Sequence, residues 1–235
     1  MKTFVVLGAG GIGYHLAEPL TRFVNFAYDP TSAEVVVIDG DRVEEKNLER
    51  QHGIESLNQN KASILVDQLK KKLGLKCGIR AVTKYFSQKT RNDEDFRCIG
   101  DDVQLFVCVD NDATRVFCER HVEKLQNATM VVGGNDFATG QAQLFIRRGG
   151  KNLTPKISQI APEILLMKDE FPDELGCDVA VVSQPQLIFV NNSIANAMLN
   201  LWWSQVFNNT TDQYINEIQV NVNTASAHQF TRAAL

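Results

Sequence analysis

The chain has 235 residues, enough for one large α/β domain or for a principal half with a smaller elaboration. Apolar residues make up 44% of it and charged residues 22%, as in ordinary globular proteins. The formal net charge of −4 argues against a nucleic-acid partner, because neutralising phosphates requires a basic face. Even the densest basic run, Lys70 to Lys72, is typical of the solvated end of a helix.

The five cysteines include no CxxC pair. An odd number without that spacing predicts neither a disulfide framework nor a four-thiolate site, so we expect no structural zinc. Cys108 and Cys118 suit the role of small buried hydrophobes. The amino terminus runs directly into an apolar strand, without a cleavage site or an 18-residue apolar span. We therefore expect a cytoplasmic protein that does not enter a membrane.

Short apolar runs alternate with helical patterns in the first part of the chain. The predicted strands cover 3–8, 34–39, 77–83, 103–111 and 129–134, and the predicted helices cover 12–26, 58–74 and 112–126. Pro19 predicts a kink or break in the first helix. Asp112 is a candidate cap for the third. Strands and helices in this alternation indicate βαβ units and a parallel, doubly wound, Rossmann-like sheet.

The pattern changes after residue 135. Residues 140–148 alternate as in an antiparallel strand, and a polar, irregular stretch continues to about residue 183. An apolar helix is predicted over 185–207 and a further alternating strand over 217–224. The predicted fold is thus a mostly parallel α/β sheet, with residues 1–135 as the Rossmann-like half. Residues 136–235 are predicted to elaborate the same domain.

A glycine pattern follows the first strand and opens the first helix. Gly8, Gly10 and Gly13 fit G-x-G-x-x-G, in which a tight turn and a helix N-terminus bring backbone N–H groups to phosphates. Gly11 makes the turn smaller still, which predicts room for a bulkier phosphate group. Residues 1–135 are therefore expected to bind a nucleotide.

Polar side chains after the second strand bear on which nucleotide is bound. Asp39 ends that strand, where a carboxylate accepts hydrogen bonds from ribose hydroxyls, although it could instead cap a turn. Asp41, Asn47 and Arg50 lie in a stretch too polar for a core, and Lys61 opens the next helix. An NAD enzyme needs only the acid. The amide and the two cations therefore favour an anion longer than a pyrophosphate.

Asp110 ends the fourth strand, at the edge where ligands of such sheets bind. A carboxylate there could hold Mg²⁺, which bridges nucleotide phosphates, or it could cap the following helix. Asp112 is the better candidate for the cap, which leaves Asp110 for the metal.

Taken together, these segments resemble the ThiF/MoeB-type family of ubiquitin-activating-like adenylyltransferases. The matching segments are GAGGIG (8–13), DGDRVEEKNLERQ (39–51), NKA (60–62) and VDNDATR (109–115). The resemblance implies that Asp39 binds ribose, that Asn47, Arg50 and Lys61 bind the phosphates of ATP, and that Asp110 holds Mg²⁺. It also implies adenylation of the C-terminal carboxylate of a ubiquitin-like or sulfur-carrier protein with a Gly-Gly type end.

Two departures from the family pattern are visible. Family members often carry two CxxC pairs for zinc, and this chain has none. Many also have an N-terminal helix whose arginine reaches the neighbouring subunit's ATP site, whereas this sequence starts at the first predicted strand. This chain is more similar to the zinc-free ThiF-like proteins of the cassette called PRTRC. The resemblance also implies a homodimer, and the apolar helix over 185–207, with Trp202 and Trp203, is either part of that contact or a core helix.

Cys177 lies in FPDELGCDVAVVSQP (171–185), which loosely resembles the active-site segment of ubiquitin-activating enzymes. The resemblance implies a thiolate that attacks the acyl-adenylate and forms a thioester. A partly buried structural cysteine and a remnant of a lost zinc site are the alternatives.

The sequence is interpreted in terms of three alternative functions. The first is the ATP- and Mg²⁺-dependent adenylyltransferase. The second is an inactive ThiF-like partner subunit that keeps the fold for binding. The third is an NAD-dependent oxidoreductase, which leaves Asn47, Arg50, Lys61 and Asp110 unexplained.

Overall fold

The computed structural model describes residues 1–45, 57–166, 170–174, 187–208 and 213–233, and these contain one nine-stranded sheet. The strands are β1 (Lys2–Leu7), β2 (Ala33–Ile38), β3 (Gly78–Val82), β4 (Val103–Val107), β5 (Ala128–Asn135), β6 (Thr139–Arg148), β7 (Lys151–Asn152), β8 (Glu217–Asn221) and β9 (Ser226–Phe230). Their order across the sheet is β3-β2-β1-β4-β5-β6-β8-β9, and β7 pairs with β6.

Strands β1 to β5 run parallel, and β6, β8 and β9 continue the sheet in antiparallel fashion. The apolar runs of β1, β2 and β4 are buried on both faces, as expected for the central strands of a doubly wound sheet. The predicted α/β fold with late antiparallel strands is confirmed. Strand β9 was not predicted, because its largely exposed residues lack a hydrophobic alternation.

The helices are α1 (Gly11–Ala27), α2 (Lys61–Lys72), α3 (Asp112–Val122), α4 (Ile157–Ile160) and α5 (Ile188–Trp202), with 3₁₀ turns at Glu94–Cys98 and Pro162–Leu165. Helix α1 continues through Pro19, so the predicted break is absent. Leu16 and Leu20 on either side are fully buried, and their burial offsets the cost of a mid-helix proline, about 3 kcal/mol. None of the described helices is long and apolar enough to cross a bilayer.

Helices cover both faces of the sheet. Side chains of α1, α2 and α5 form one buried cluster with the sheet, and those of α3 form the other with the short helical turns. Trp202 of α5 is buried, and its indole N–H donates to Gln104 Oε1 at 2.9 Å. The prediction of a core helix is confirmed. It ends earlier than predicted, in a π-helical turn at Trp203–Phe207 where Trp203 is 41% exposed.

Candidate functional site

The residues that follow β1, β2 and β4 meet at one edge of the sheet. The strand order reverses at β1, which lies between β2 and β4, and a crevice forms at such a switch point in open α/β sheets. The Gly8 N–H donates to Ile38 O at 2.8 Å, and the Cys108 N–H donates to Leu7 O at 2.7 Å. Backbone hydrogen bonds thus align the carboxyl ends of all three strands.

The predicted glycine positions have different structural reasons. Gly8 has φ +96°, and a Cβ there would lie 3.0 Å from the backbone of Cys108. A Cβ at Gly13 would lie 1.8 Å from Gly8 O, so the fold itself requires glycine at both positions. A Cβ at Gly10 would meet nothing within 4 Å, which leaves open space beside the turn. Gly10 precedes α1 without a side-chain cap, which leaves a helix N-terminus suited to an anion.

Gly11 corrects one prediction. The space that a side chain at Gly11 would occupy was predicted to accommodate a bulkier phosphate group. In the structure that space contains the side chain of Asn191 from α5, whose Nδ2 would lie 2.5 Å from a Cβ at Gly11. The absence of a side chain at position 11 therefore allows helix α5 to approach the turn.

Asp39 connects the end of β2 to the glycine turn. Its Oδ2 accepts the N–H of Ala9 at 2.6 Å and its Oδ1 accepts the N–H of Asp41 at 2.8 Å. These contacts show the turn-capping role that the sequence left open for Asp39. Each oxygen also keeps a lone pair for a further donor. Burial raises the pKa of Asp39 to about 6, and the nearby charge of Asp41 adds to this.

Asp41 and Lys61 form an ion pair beside Asp39. The two side chains approach to 2.7 Å between Lys61 Nζ and Asp41 Oδ2, and the Lys61 side chain is only 10% exposed. Burial opposes the charge of Lys61, yet the carboxylates of Asp39 and Asp41 outweigh it and raise the pKa of Lys61. The site therefore holds a charged ammonium group at the end of β2.

Tyr85 is hydrogen-bonded to this ion pair and was not predicted from the sequence. It follows β3, donates its hydroxyl hydrogen bond to Asp41 Oδ1 and packs its ring over Gly40, where a Cβ would lie 2.6 Å from the ring. Burial, followed by that hydrogen bond, raises the pKa of Tyr85, so the hydroxyl remains a donor. An aromatic residue just beyond the third strand was the signal available in the sequence.

Asn60 explains how Lys61 comes to face Asp41. Its Oδ1 caps α2 by accepting the N–H of Ser63 at 3.0 Å. Its Nδ2 donates to Asp39 O at 2.7 Å and to Asp41 O at 3.0 Å. One amide therefore fixes the start of α2 against the end of β2, and Lys61 is the first residue of that helix.

Asp110 follows β4 and is exposed. The predicted cap at Asp112 is wrong. Asn111 caps α3, because its Oδ1 accepts the N–H of Thr114 at 2.8 Å, whereas Asp112 pairs with Arg115 at 2.8 Å. An asparagine in extended conformation places its side-chain oxygen over the first turn, and Asp112 is already inside the helix. Asp110 is therefore not needed as a cap.

Arg115 holds the loop that carries Asp110. Its Nη2 donates to Val109 O at 2.9 Å and to Gly133 O at 3.3 Å, which links the ends of β4 and β5. The described residues contain no group of three or more side chains suited to bind a metal. Mg²⁺ commonly uses one or two carboxylates together with nucleotide phosphates, so a single exposed carboxylate fits that chemistry.

Three predicted site residues, Asn47, Arg50 and Cys177, lie outside the described residues. The other four cysteines, Cys77, Cys98, Cys108 and Cys118, are all buried, which confirms the interpretation of Cys108 and Cys118. Burial raises the pKa of each of these four thiols. Buried thiols of this kind are poor nucleophiles.

A sequence model of the ThiF family matches residues 2–232. This chain belongs to the ThiF family. It is therefore an adenylyltransferase-like protein, and the match extends through the antiparallel part of the sheet. No curated protein sequence matches the chain.

Solved structures of two proteins share the fold. The ThiF-family chain resembles PaaA with a TM-score of 0.67 and 13% identity, over 98% of this chain and 73% of PaaA. It resembles Escherichia coli MccB bound to ATP with a TM-score of 0.66 and 18% identity, over 97% of this chain and 63% of MccB. It resembles the structure of MccB with AMPCPP and MccA with a TM-score of 0.66 and 17% identity, over 99% of this chain and 64% of MccB. The chain thus spans less than two thirds of MccB, and identities this low establish a common fold.

Replacing Gly13 by alanine is expected to destabilise the protein by about 3 kcal/mol or more, because the new Cβ overlaps a backbone carbonyl that cannot move without the strand. Gly74→Ala is the matched control, since a Cβ there meets nothing within 4 Å. It should change the free energy of unfolding by less than about 1 kcal/mol. Urea unfolding measures both, and equal effects would contradict the packing argument.

The raised pKa of Asp39 predicts a pH-dependent effect of Asp39→Asn. An unfolded aspartate titrates near pH 3.9 and the folded one near pH 6, so between these values the folded state binds more protons. Above about pH 6 the wild-type protein must keep a buried carboxylate charged, a cost that the variant avoids. The free energy of unfolding of Asp39→Asn minus that of wild type should therefore be about 2 kcal/mol larger at pH 7.5 than at pH 4.5.

Urea unfolding of both proteins across this pH range tests the effect. Asp67→Asn, at an exposed position of α2, is the control for removal of a solvated charge. A stability difference between Asp39→Asn and wild type that does not change with pH would show that the burial of Asp39 has no energetic consequence.

Proposed function

We propose that this ThiF-family protein uses ATP to adenylate the C-terminal carboxylate of a small ubiquitin-like or sulfur-carrier protein, with release of pyrophosphate. The observation that carries the proposal is the convergence of Asp39 and the Lys61–Asp41 ion pair beside an uncapped helix N-terminus. A dinucleotide site needs the glycine turn and the acid. A buried ammonium group beside them favours a triphosphate.

Each group has a role in ATP binding under this proposal. The N–H groups at the start of α1 receive phosphate oxygens, Asp39 accepts hydrogen bonds from the ribose, and Lys61 faces the phosphates. Asn47 and Arg50 are proposed as further phosphate ligands on the family resemblance. Asp110 would hold Mg²⁺, which supplies positive charge to the phosphates. MccB, which shares the fold, has been solved with ATP.

The proposed reaction requires that the carboxylate be positioned at the α-phosphorus and that the charge on the phosphates be stabilised. A carboxylate oxygen of the carrier attacks the α-phosphorus, a new oxygen–phosphorus bond forms, and the bond to the β-phosphate breaks. Pyrophosphate leaves with the electron pair, and no proton needs to move. Lys61 offsets the charge that develops on the phosphates, and its pairing with Asp41 fixes the ammonium group before ATP arrives.

Cys177 is the proposed acceptor in a following step. Its thiolate would attack the acyl carbon of the adenylate, forming a thioester while AMP leaves, and the thiol proton would pass to solvent. Burial and the resulting high pKa values make the four described cysteines unsuitable for this attack. Cys177 is proposed as the reactive thiol on the family resemblance of its segment.

Other parts of the proposal rest on the family resemblance. We propose that residues 1–135 bind the nucleotide and that residues 136–235 contribute the carrier and thiol sites. The relation to PRTRC-cassette proteins, the homodimer and the cytoplasmic location stay predictions. MccB has been solved with MccA, which supports a second chain as the substrate in this fold.

ATP–pyrophosphate exchange tests the adenylation step. Wild-type protein with ATP, Mg²⁺, labelled pyrophosphate and a carrier ending in Gly-Gly should exchange label only when the carrier is present. Asp110→Ala should lower the exchange rate at least about 100-fold, the usual effect of removing one group that stabilises developing charge. Asp67→Ala removes an exposed carboxylate on α2 and should retain the wild-type rate.

The outcomes separate the competing functions. Nucleotide binding without exchange, for every Gly-Gly carrier tried, would favour the inactive partner subunit. Binding of NAD in preference to ATP would favour the oxidoreductase.

The thioester step predicts a carrier conjugate that dithiothreitol cleaves. After incubation with ATP, Mg²⁺ and carrier, non-reducing gel electrophoresis should show this conjugate for wild type and not for Cys177→Ala. Cys77→Ala, which alters a buried thiol, is the matched control and should keep the conjugate. A conjugate that persists in Cys177→Ala would show that another residue accepts the acyl group.

A further inference from the structure

Asn191 is a fully buried polar residue whose side chain has no partner among the described residues. It lies in the first turn of α5, with 0% of its surface exposed. Both Nδ2 and Oδ1 lack a hydrogen-bond partner. Buried amides are almost always hydrogen-bonded, and leaving one unpaired is unfavourable. A leucine of nearly the same shape would pack there without this cost.

The amide is directed at the glycine turn. Its three terminal atoms would lie 2.5, 2.8 and 3.0 Å from a Cβ built on Gly11. Gly11 is the first residue of α1, and the N–H groups of that first turn have no acceptor within the helix. The unpaired side chain thus lies against the backbone that the proposed function assigns to phosphate binding.

The chemistry of a carboxamide limits what can satisfy it. Nδ2 needs an acceptor and Oδ1 needs a donor, so a phosphate alone would leave Oδ1 unpaired. The backbone N–H and C=O of a residue in extended conformation point to the same side, as in paired strands, so they offer one donor and one acceptor to a carboxamide. Gly10 is extended, with φ −76° and ψ −156°. Its carbonyl accepts the N–H of Tyr14 at 2.8 Å and keeps a second lone pair.

We propose that Asn191 is a positioning residue for the glycine turn, pairing its amide with the backbone of Gly10 when the turn takes up the phosphates of a nucleoside triphosphate. This inference rests on the proposed function and adds a residue outside the segments 8–13, 39–51, 60–62 and 109–115 that contain the predicted nucleotide-binding residues. Glycines at positions 10 and 11 let the turn shift its φ and ψ at small cost. The hydrogen bonds gained in the bound state then contribute to nucleotide affinity.

The pairing predicts opposite effects of Asn191→Leu on stability and on binding. Without nucleotide, replacing an unpaired amide by an apolar group of similar shape should raise the melting temperature by about 2–4 °C. The dissociation constant for ATP, measured by isothermal titration calorimetry, should increase about tenfold, equivalent to one hydrogen bond. Asn196→Leu, exposed on the same helix, should change neither quantity.

Two results would overturn the assignment. A lower melting temperature for Asn191→Leu, with unchanged ATP affinity, would show an amide that serves the fold alone, for example through a buried water. Should leucine prevent folding, Asn191→Ala removes the amide without added bulk and should still weaken ATP binding about tenfold. An unchanged dissociation constant for Asn191→Ala would equally reject the role.

Failure of the proposed function is distinguishable from failure of this inference. Wild-type protein that binds ATP but performs no carrier-dependent exchange contradicts the proposed reaction and leaves the binding comparison valid. Active exchange with equal ATP affinity in wild type and Asn191→Leu contradicts the role of Asn191 only.

Discussion

The close approach between the start of α1 and the end of β1 is the constraint on which the site depends. Gly13 lies so near Gly8 O that even a methyl group would overlap it, at 1.8 Å. This contact packs the first turn of α1 directly against the residue that follows β1. Asp39 can then reach the Ala9 N–H from the neighbouring strand at 2.6 Å. Without that proximity, β2 and the glycine turn would not share one carboxylate.

The electrostatics at the end of β2 follow from two buried side chains, Asp39 and Lys61, placed beside the half-exposed carboxylate of Asp41. Asp39 and Asp41 repel each other, and Lys61 attracts both. The neutral side chains of Tyr85 and Asn60 add hydrogen bonds, from the Tyr85 hydroxyl to the Asp41 carboxylate and from the Asn60 amide to the Asp39 carbonyl. These bonds fix the positions of the Asp41 carboxylate and of the backbone beside it. Fixed charges and dipoles in a partly dry site interact with a ligand at little reorganisation cost. Burial raises the pKa of Asp39, whereas the carboxylates of Asp39 and Asp41 outweigh the effect of burial on Lys61 and keep its ammonium group charged.

The sequence predicted features that local patterns determine. Apolar runs indicated β1 to β5, and Gly8, Asp39 and Asp110 were predicted at one edge because parallel strands end together. Features made by contacts distant in sequence were missed. Tyr85 reaches Asp41 across 44 positions, and Asn191 reaches Gly11 from the far end of the chain.

Two errors at single residues have a similar origin. Asp112 was predicted to cap the helix, but the cap is its neighbour Asn111, and either residue type caps well. Only the backbone at Asn111, extended with φ −112° and ψ 118°, decides between them. Gly11 was interpreted as space for a ligand because a sequence does not show which neighbour fills the space beside a glycine. Motif spacing therefore predicted which residues lie together, and tertiary packing shows which neighbour occupies the space beside Gly11.

Helix α5 packs the second part of the chain against the glycine turn and the end of β5. Asn191 at its start lies against Gly11, and Met198, two turns later, lies against Gly133 near the end of β5, where a Cβ would be 2.4 Å from its sulfur. The helix therefore contacts the start of α1 and the end of the parallel strand β5, although it comes after the antiparallel strand β6. A displacement of α5 would alter the packing beside Gly11 and at the end of β5 together. The second part of the chain thus packs directly against the glycine turn, with Asn191 as the polar contact.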